Sequence, residues 1–202
     1  MKRSATPILR TLMAALLILA AATGQARGEN MVRPQATERR DDALYASMEA
    51  RRHVEGGQKL EREKNLSGAI ASYSKAASLV PDSAEVHFAL GEALVKAARD
   101  QEALVSYTLA VTIAPKHRRA LHSRARLCLR MKLYAQARKD LSQLIDLVPG
   151  VADYHYQRAT TLMKMKSVTE AYHDFLRAHE LDNKYPRPTL IWKKDSVPKK
   201  VV

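Results

Sequence analysis

The sequence predicts an all-α fold, a solenoid of about four helix–turn–helix units. Three observations predict it. Pro81, Pro115 and Pro149 stand 34 residues apart, and Asn183 falls at the next interval. A pattern of bulky and small side chains holds the same register from Ala50 to Tyr185 without an insertion. Within that pattern, small residues recur where two helices of one unit must approach closely, and larger ones where neighbouring units meet.

Each unit carries a first and a second helix. In the second unit the recurring positions read His87, Leu90, Gly91 and Leu94, then Ala103, Tyr107, Ala110 and Pro115. The first unit has His53, Gly56, Gly57 and Leu60, then Ala69, Tyr73, Ala76 and Pro81. The third has Leu121, Arg124, Ala125 and Cys128, then Ala137, Leu141, Leu144 and Pro149. The fourth has His155, Arg158, Ala159 and Leu162, then Ala171, Phe175, Ala178 and Asn183. This period and pattern resemble the tetratricopeptide repeat (TPR) family. The resemblance divides 50–185 into units 50–83, 84–117, 118–151 and 152–185. It implies a protein-binding scaffold and no enzyme. Arg124 and Arg158 depart from the family's usual Leu, Gly56 from a larger residue, Leu144 from a small one and Asn183 from proline.

The elements follow in order. Residues 1–26 read as a signal peptide: Lys2, Arg3 and Arg10 precede the apolar run Leu12–Ala22, and no acidic residue occurs before Glu29. That run of eleven residues is short of the roughly 20 that span a bilayer. Cleavage is expected after Ala26, which places the chain in the secretory pathway, in the endoplasmic reticulum lumen or outside the cell. A mitochondrial transit sequence and an uncleaved membrane anchor are the alternatives. Residues 27–49 form an N-terminal segment and a capping helix starting near Thr37, with Leu44 and Met48 on one face. Each recurring proline is expected to open the following unit. Ser83 and Asp100 are expected to cap their helices, and Ser167 with Glu170 to form a capping box. The tail 186–202 is basic, and its prolines disfavour a helix. Its Leu190-Ile191-Trp192 segment is expected to fold over the last second helix.

Little in the chain carries catalytic chemistry. Cys128 is the only cysteine, so no internal disulfide forms, and its repeat position predicts a buried apolar role. His53, His87 and His155 share one repeat position, but stacked units are about 10 Å apart, too far to share one metal ion. They are expected to pack between helices, and no metal or other cofactor is predicted. Gly56-Gly57 is expected to be a close-packing site. No phosphate-binding glycine loop or nucleophile elbow is present. Asn65-Leu66-Ser67 is a glycosylation triplet in the turn between helices, meaningful only if the chain enters the secretory pathway.

The TPR resemblance also implies where a ligand binds, along the concave face lined by first helices. The residues there are Val54, Phe88, His122 and Tyr156 at one position, and Val95, Leu129 and Met163 at another. Beside them runs a basic rail of Arg62, Lys96, Arg130 and Lys164, with Arg119 and Arg126 on the third unit. An exposed apolar row marks an interaction surface. The family's carboxylate clamp for the Hsp70 or Hsp90 C-terminal tail is missing: Val54, Gln58, Ala89 and Ser123 stand at clamp positions. That partner is therefore not expected.

The formal net charge is +13 and is uneven: residues 118–151 hold eight Lys or Arg against two Asp, and the tail 186–202 five against one. Anionic membrane contact through the basic tail fits this charge. Nucleic acid is not expected, because no aromatics interleave with the basic residues. A signal followed by TPR units also resembles the TPR portion of endoplasmic-reticulum DnaJ-type co-chaperones. Arg124 and Ala137-Arg138-Lys139-Asp140-Leu141 carry that likeness, but no His-Pro-Asp triad of a J domain occurs. The expected function is a lumenal chaperone-like or co-chaperone adaptor binding extended or unfolded polypeptide. The alternative is a scaffold subunit of a membrane-associated or organellar complex.

Overall fold

The computed structural model describes residues 34–188. The signal peptide, its cleavage site and Leu190-Ile191-Trp192 lie outside the described residues. The chain divides into two compact units, Met1–Leu44 and Tyr45–Val202. Among the described residues there are eight helices and no strand. They are α1 (Pro34–Arg62), α2 (Leu66–Leu79), α3 (Ala84–Lys96), α4 (Asp100–Ile113), α5 (Arg118–Arg130), α6 (Tyr134–Leu147), α7 (Ala152–Lys164) and α8 (Val168–Leu181). The fold is an all-α TPR solenoid. The expected capping helix and the first helix of unit one form a single helix of 29 residues. Its described part begins at Pro34, ahead of the expected Thr37.

Within each unit the two helices are joined by the same turn. Asn65, Arg99, Leu133 and Ser167 donate their backbone N–H to the carbonyls of Leu60, Leu94, Cys128 and Leu162, at 2.8–2.9 Å. The residue before each donor is left-handed: Lys64 (φ 61°), Ala98 (57°), Lys132 (63°) and Lys166 (63°). This is a Schellman ending, which satisfies helix-end carbonyls and reverses the chain. Four non-glycine residues in that conformation carry strain of about 1 kcal/mol each. The same backbone turn thus recurs in all four units.

Between units, the prolines act differently from expectation. Pro81, Pro115 and Pro149 directly follow the C-caps Val80, Ala114 and Val148, and the next helix opens only at Ala84, Arg118 or Ala152. Proline ends one helix here instead of starting the next. Its carbonyl is then satisfied by a side chain. His87 Nε2 reaches Pro81 O at 2.9 Å, and His155 Nε2 reaches Pro149 O at 3.0 Å. Unit three has Leu121 at that position, and Gln143 of α6 donates to Pro115 O instead, at 3.1 Å. His87 and His155 of the histidine column thus fix inter-unit loops, and no group of three or more His, Cys, Asp or Glu able to hold a metal ion occurs among the described residues.

The caps are partly as expected. Ser83 accepts from the N–H of Val86 at 3.4 Å. Asp100 lies inside α4 behind the N-cap position Arg99, and its carboxylate turns to Arg130. Ser167 makes no capping hydrogen bond despite Glu170. Two caps had gone unpredicted: Asn65 Oδ1 accepts from Gly68 N–H at 3.0 Å, and His117 Nδ1 from Ala120 N–H at 3.1 Å.

The core alternates two solutions. Ala69, Ala103, Ala137 and Ala171 are fully buried in all four units. In units one and two a tyrosine of the second helix lies on a glycine of the first. A Cβ on Gly57 would stand 2.8 Å from Tyr73 Cε1, and one on Gly91 would stand 2.6 Å from Tyr107 Cε1. Units three and four replace these pairs with Ala125 and Leu141, and with Ala159 and Phe175. Gly56, expected to share the close packing, has nothing within 4 Å of its Cβ position.

The unusual arginines are explained at the same interface. Arg124 Nε and Nη2 donate to the Asp140 carboxylate at 2.9 and 2.7 Å, with Asp140 fully buried. Arg158 repeats the arrangement with Asp174, at 2.6 and 2.7 Å. Both pairs span sixteen residues and lie one repeat apart. Units one and two carry Ser72 and Ser106 where the aspartates stand. Such bidentate pairing meets the hydrogen-bonding demand of a buried guanidinium.

Candidate peptide-binding face

The expected contact residues lie on the first helices and are not equally open. Phe88 is only 4% exposed. Its ring lies 5.3 Å from the His117 ring, and the Arg119 guanidinium stacks 4.6 Å from its centroid. Tyr156 is half-buried under Tyr185, with ring centroids 4.8 Å apart. Tyr185 is held there by its hydroxyl on Asp153 at 3.2 Å and by its carbonyl, which meets His179 Nδ1 at 2.8 Å. His122 packs on Tyr154 at 5.3 Å. Burial pushes the His122 imidazole below its ordinary pKa, against the opposing pull of Asp153. Met163 is buried, and Val54, Val95 and Leu129 are half-buried. An open apolar row is therefore interrupted at Phe88, covered by His117 and Arg119, and at Met163, which packs in the core of its own unit.

The basic rail is also partly occupied. Lys96 pairs with Glu61 at 2.8 Å, Arg119 with Glu85 at 3.2 Å, and Arg130 with Asp100 through two hydrogen bonds. Each pair joins adjacent units, and being exposed each adds at most about 1 kcal/mol. Arg62, Arg126 and Lys164 are exposed.

What stays open is a groove of about 350 Å³ across units two and three. Glu92, Val95, Lys96, Tyr107, Ser123, Arg126, Leu127 and Arg130 line it. At its floor Glu92 accepts from the Tyr107 hydroxyl and from Ser123 Oγ, the latter at 2.8 Å. Burial, then the Glu92 hydrogen bond, pushes the Tyr107 phenol far above its ordinary pKa, so it remains a donor. The groove thus offers fixed polar groups, the apolar Val95 and Leu127, and the cations Lys96, Arg126 and Arg130. Glu92 and Ser123 were not foreseen as site residues. The signal for Glu92 was a polar residue one turn along α3 from Phe88; Ser123 is the residue after His122 and carried no such signal.

Cys128 is fully buried, and desolvation pushes its thiol up to about 11. It is a packing residue. Asn65 is exposed at the turn, where its side-chain oxygen serves as the α2 cap.

Comparison with known proteins agrees with this architecture. A TPR-repeat family model matches residues 59–97. A MamA structure from Desulfovibrio magneticus superposes with a TM-score of 0.62 at 18% identity, over 67% of this chain and 77% of that one. YrrB, described as a TPR protein with an unusual peptide-binding site, gives 0.59 at 18% identity, over 65% and 68%. The first TPR of Spaghetti (RPAP3), bound to the HSP90 peptide SRMEEVD, gives 0.55 at 18% identity, over 59% and 95%. Likeness at this identity is likeness of fold. No curated protein sequence matches the chain significantly. TPR modules of this kind are generally non-catalytic and bind proteins or peptides.

Proposed function

We propose that this chain is a non-catalytic adaptor that holds an extended polypeptide segment along its first-helix face. The observation that carries the reading is the open groove at Val95, Ser123, Arg126 and Leu127, with fixed acceptors below and cations above. Leu129 and Tyr156 are half-buried apolar positions of the first helices in units three and four. Peptide binding by YrrB and by the Spaghetti TPR supports the class of ligand. The absent carboxylate clamp turns the reading away from an Hsp90-type tail and toward an unfolded or extended client. The test is suppression of aggregation of a heat-unfolded client by the full chain. Leu129→Asp combined with Arg126→Glu is expected to weaken client affinity at least about tenfold, roughly 1.4 kcal/mol. Unchanged suppression by this variant with its helicity intact would sink the site.

The N-terminal run supports action in the secretory lumen, with mitochondria or a membrane tether as alternatives. Intact mass of the protein from its own cells decides this: loss of about 26 residues is expected, from the signal-sequence pattern. Glycosylation at Asn65 is better probed with Ser67→Ala, since changing Asn65 also removes the α2 cap. A second reading is a scaffold subunit docked on an anionic surface. The exposed Arg118, Lys132, Arg138 and Lys139 of unit three favour it. Steep salt dependence of partner binding would distinguish that reading.

A further inference from the structure

One register position of the solenoid is filled differently at its end. The residues 29 places after Val54, Phe88, His122 and Tyr156 are Ser83, His117, Val151 and Tyr185. Ser83, His117 and Val151 are the N-cap residues of α3, α5 and α7, so each is fixed by the helix that follows it. Tyr185 holds the same place in the register, but residues 182–188 carry no helix.

That difference separates two aromatic contacts of the same kind. His117 lies over Phe88 with ring centroids 5.3 Å apart, and both of its nitrogens are engaged. Nδ1 accepts from Ala120 N–H at 3.1 Å, and Nε2 meets the Glu85 carboxylate at 2.8 Å. Arg119 of α5 stacks on the same Phe88 ring. Phe88 is thereby closed by a helix. Tyr185 lies over Tyr156 at 4.8 Å, and its hydroxyl donates to Asp153 Oδ1 at 3.2 Å. These two contacts, both with α7, are what hold its ring on the first-helix face. Its other ties reach back no further than six residues: its N–H donates to Asp182 O, its carbonyl meets His179 Nδ1, and Lys184 stands over its ring.

Swinging Tyr185 away would uncover the Tyr156 ring and free Asp153 Oδ1. The other carboxylate oxygen stays engaged, because Gln157 donates to Oδ2 at 2.6 Å. What is uncovered is an aromatic face beside one fixed acceptor, and a tyrosine side chain satisfies both, as Tyr185 itself does. We propose that Tyr185 is a displaceable lid that stands in for the ligand, and that a bound polypeptide places a tyrosine of its own on Tyr156 and Asp153. The inference rests on the first helices forming the binding face, and adds to that reading a subsite, a preferred residue and a closed state. A closed lid lowers apparent affinity by the fraction of molecules that are open.

The test is fluorescence anisotropy of a labelled Ser/Leu host peptide carrying one tyrosine, titrated with the full chain and with Tyr185→Ser. Opening the lid breaks one aromatic pair and one exposed hydrogen bond, so Tyr185→Ser is expected to bind about tenfold tighter than wild type. The gain is expected to be smaller when the peptide carries phenylalanine, and to vanish when it carries lysine. It is also expected to vanish when Tyr156→Leu is added, which keeps apolar packing on Phe175 and removes the aromatic face. Tyr185→Phe keeps the stack and loses only the Asp153 hydrogen bond, for an expected gain of about threefold. It carries the test if Tyr185→Ser loses helicity by circular dichroism. Equal or weaker binding by the folded lid variants overturns the proposal. So does a gain that survives Tyr156→Leu, or one that is largest for lysine. Suppression of client aggregation is measured on the same proteins. If it persists without any lid effect, the lid alone fails; if it is lost together with all peptide binding, the binding face fails with it.

Discussion

Asp140→Ala is expected to destabilise the protein by about 3–5 kcal/mol, because it leaves the Arg124 guanidinium buried and unpaired. Arg124 is 7% exposed and Asp140 is fully buried, so neither solvent nor a rotamer change replaces the lost partner. Gln136, which donates to the same carboxylate at 3.0 Å, loses its acceptor as well. In a protein of this size the melting temperature should fall by about 10 °C or more. Asp174→Ala should do less, since Arg158 keeps 23% of its side chain exposed and has Ser142 Oγ at 3.1 Å. The control is already in the chain: Arg124→Leu with Asp140→Ser copies Leu90 and Ser106 of unit two. Exchange of a whole buried pair for apolar packing is often neutral or stabilising, so this double variant should recover most of the loss. Thermal unfolding of the three proteins measures it. A loss below about 1 kcal/mol for Asp140→Ala would show that the pair is hydrated in solution.

The second large effect is a contrast within one dipeptide. Gly57→Ala and Gly91→Ala are each expected to lower stability by about 1–3 kcal/mol through overpacking, partly offset by up to about 1 kcal/mol of better helix propensity. The clash at 2.6–2.8 Å is with the edge of a buried tyrosine ring, whose hydroxyl is tied to Glu61 or Glu92 and cannot swing away. Gly56→Ala should instead raise stability by about 0.5–1 kcal/mol, since its Cβ enters open space in the middle of α1. Chemical denaturation midpoints of the single variants decide the matter. The same sign for Gly56→Ala and Gly57→Ala would refute the packing account.

The register of the units was legible because a 34-residue period places the same side chain at the same depth four times. Ala69, Ala103, Ala137 and Ala171 lie at 0% exposure for that reason. The buried ion pairs were legible in principle: Arg124 and Arg158 depart from the pattern, and aspartate appears sixteen residues after each. Neither departure shows its partner in the sequence, because the two changes are sixteen residues apart and adjacent only across the helix pair. Capping was misread where a side chain had a stronger partner elsewhere, as Asp100 has in Arg130. The openness of the concave face was not legible at all. Phe88 and Tyr156 are covered by His117, Arg119 and Tyr185, which enter from the next stretch of chain at an angle set by helix packing. Composition says nothing about that angle.

The buried arginine–aspartate pairs also bear on how such an array can change length. Each pair closes inside its own 34 residues, 124 with 140 and 158 with 174. A whole unit therefore carries a cation and its counterion together, and gaining or losing one unit in register strands neither. A break between position 124 and position 140 would separate them and put a lone charge in the interior. Within units three and four, a change of length that keeps each cation with its counterion is thereby a step of a complete repeat.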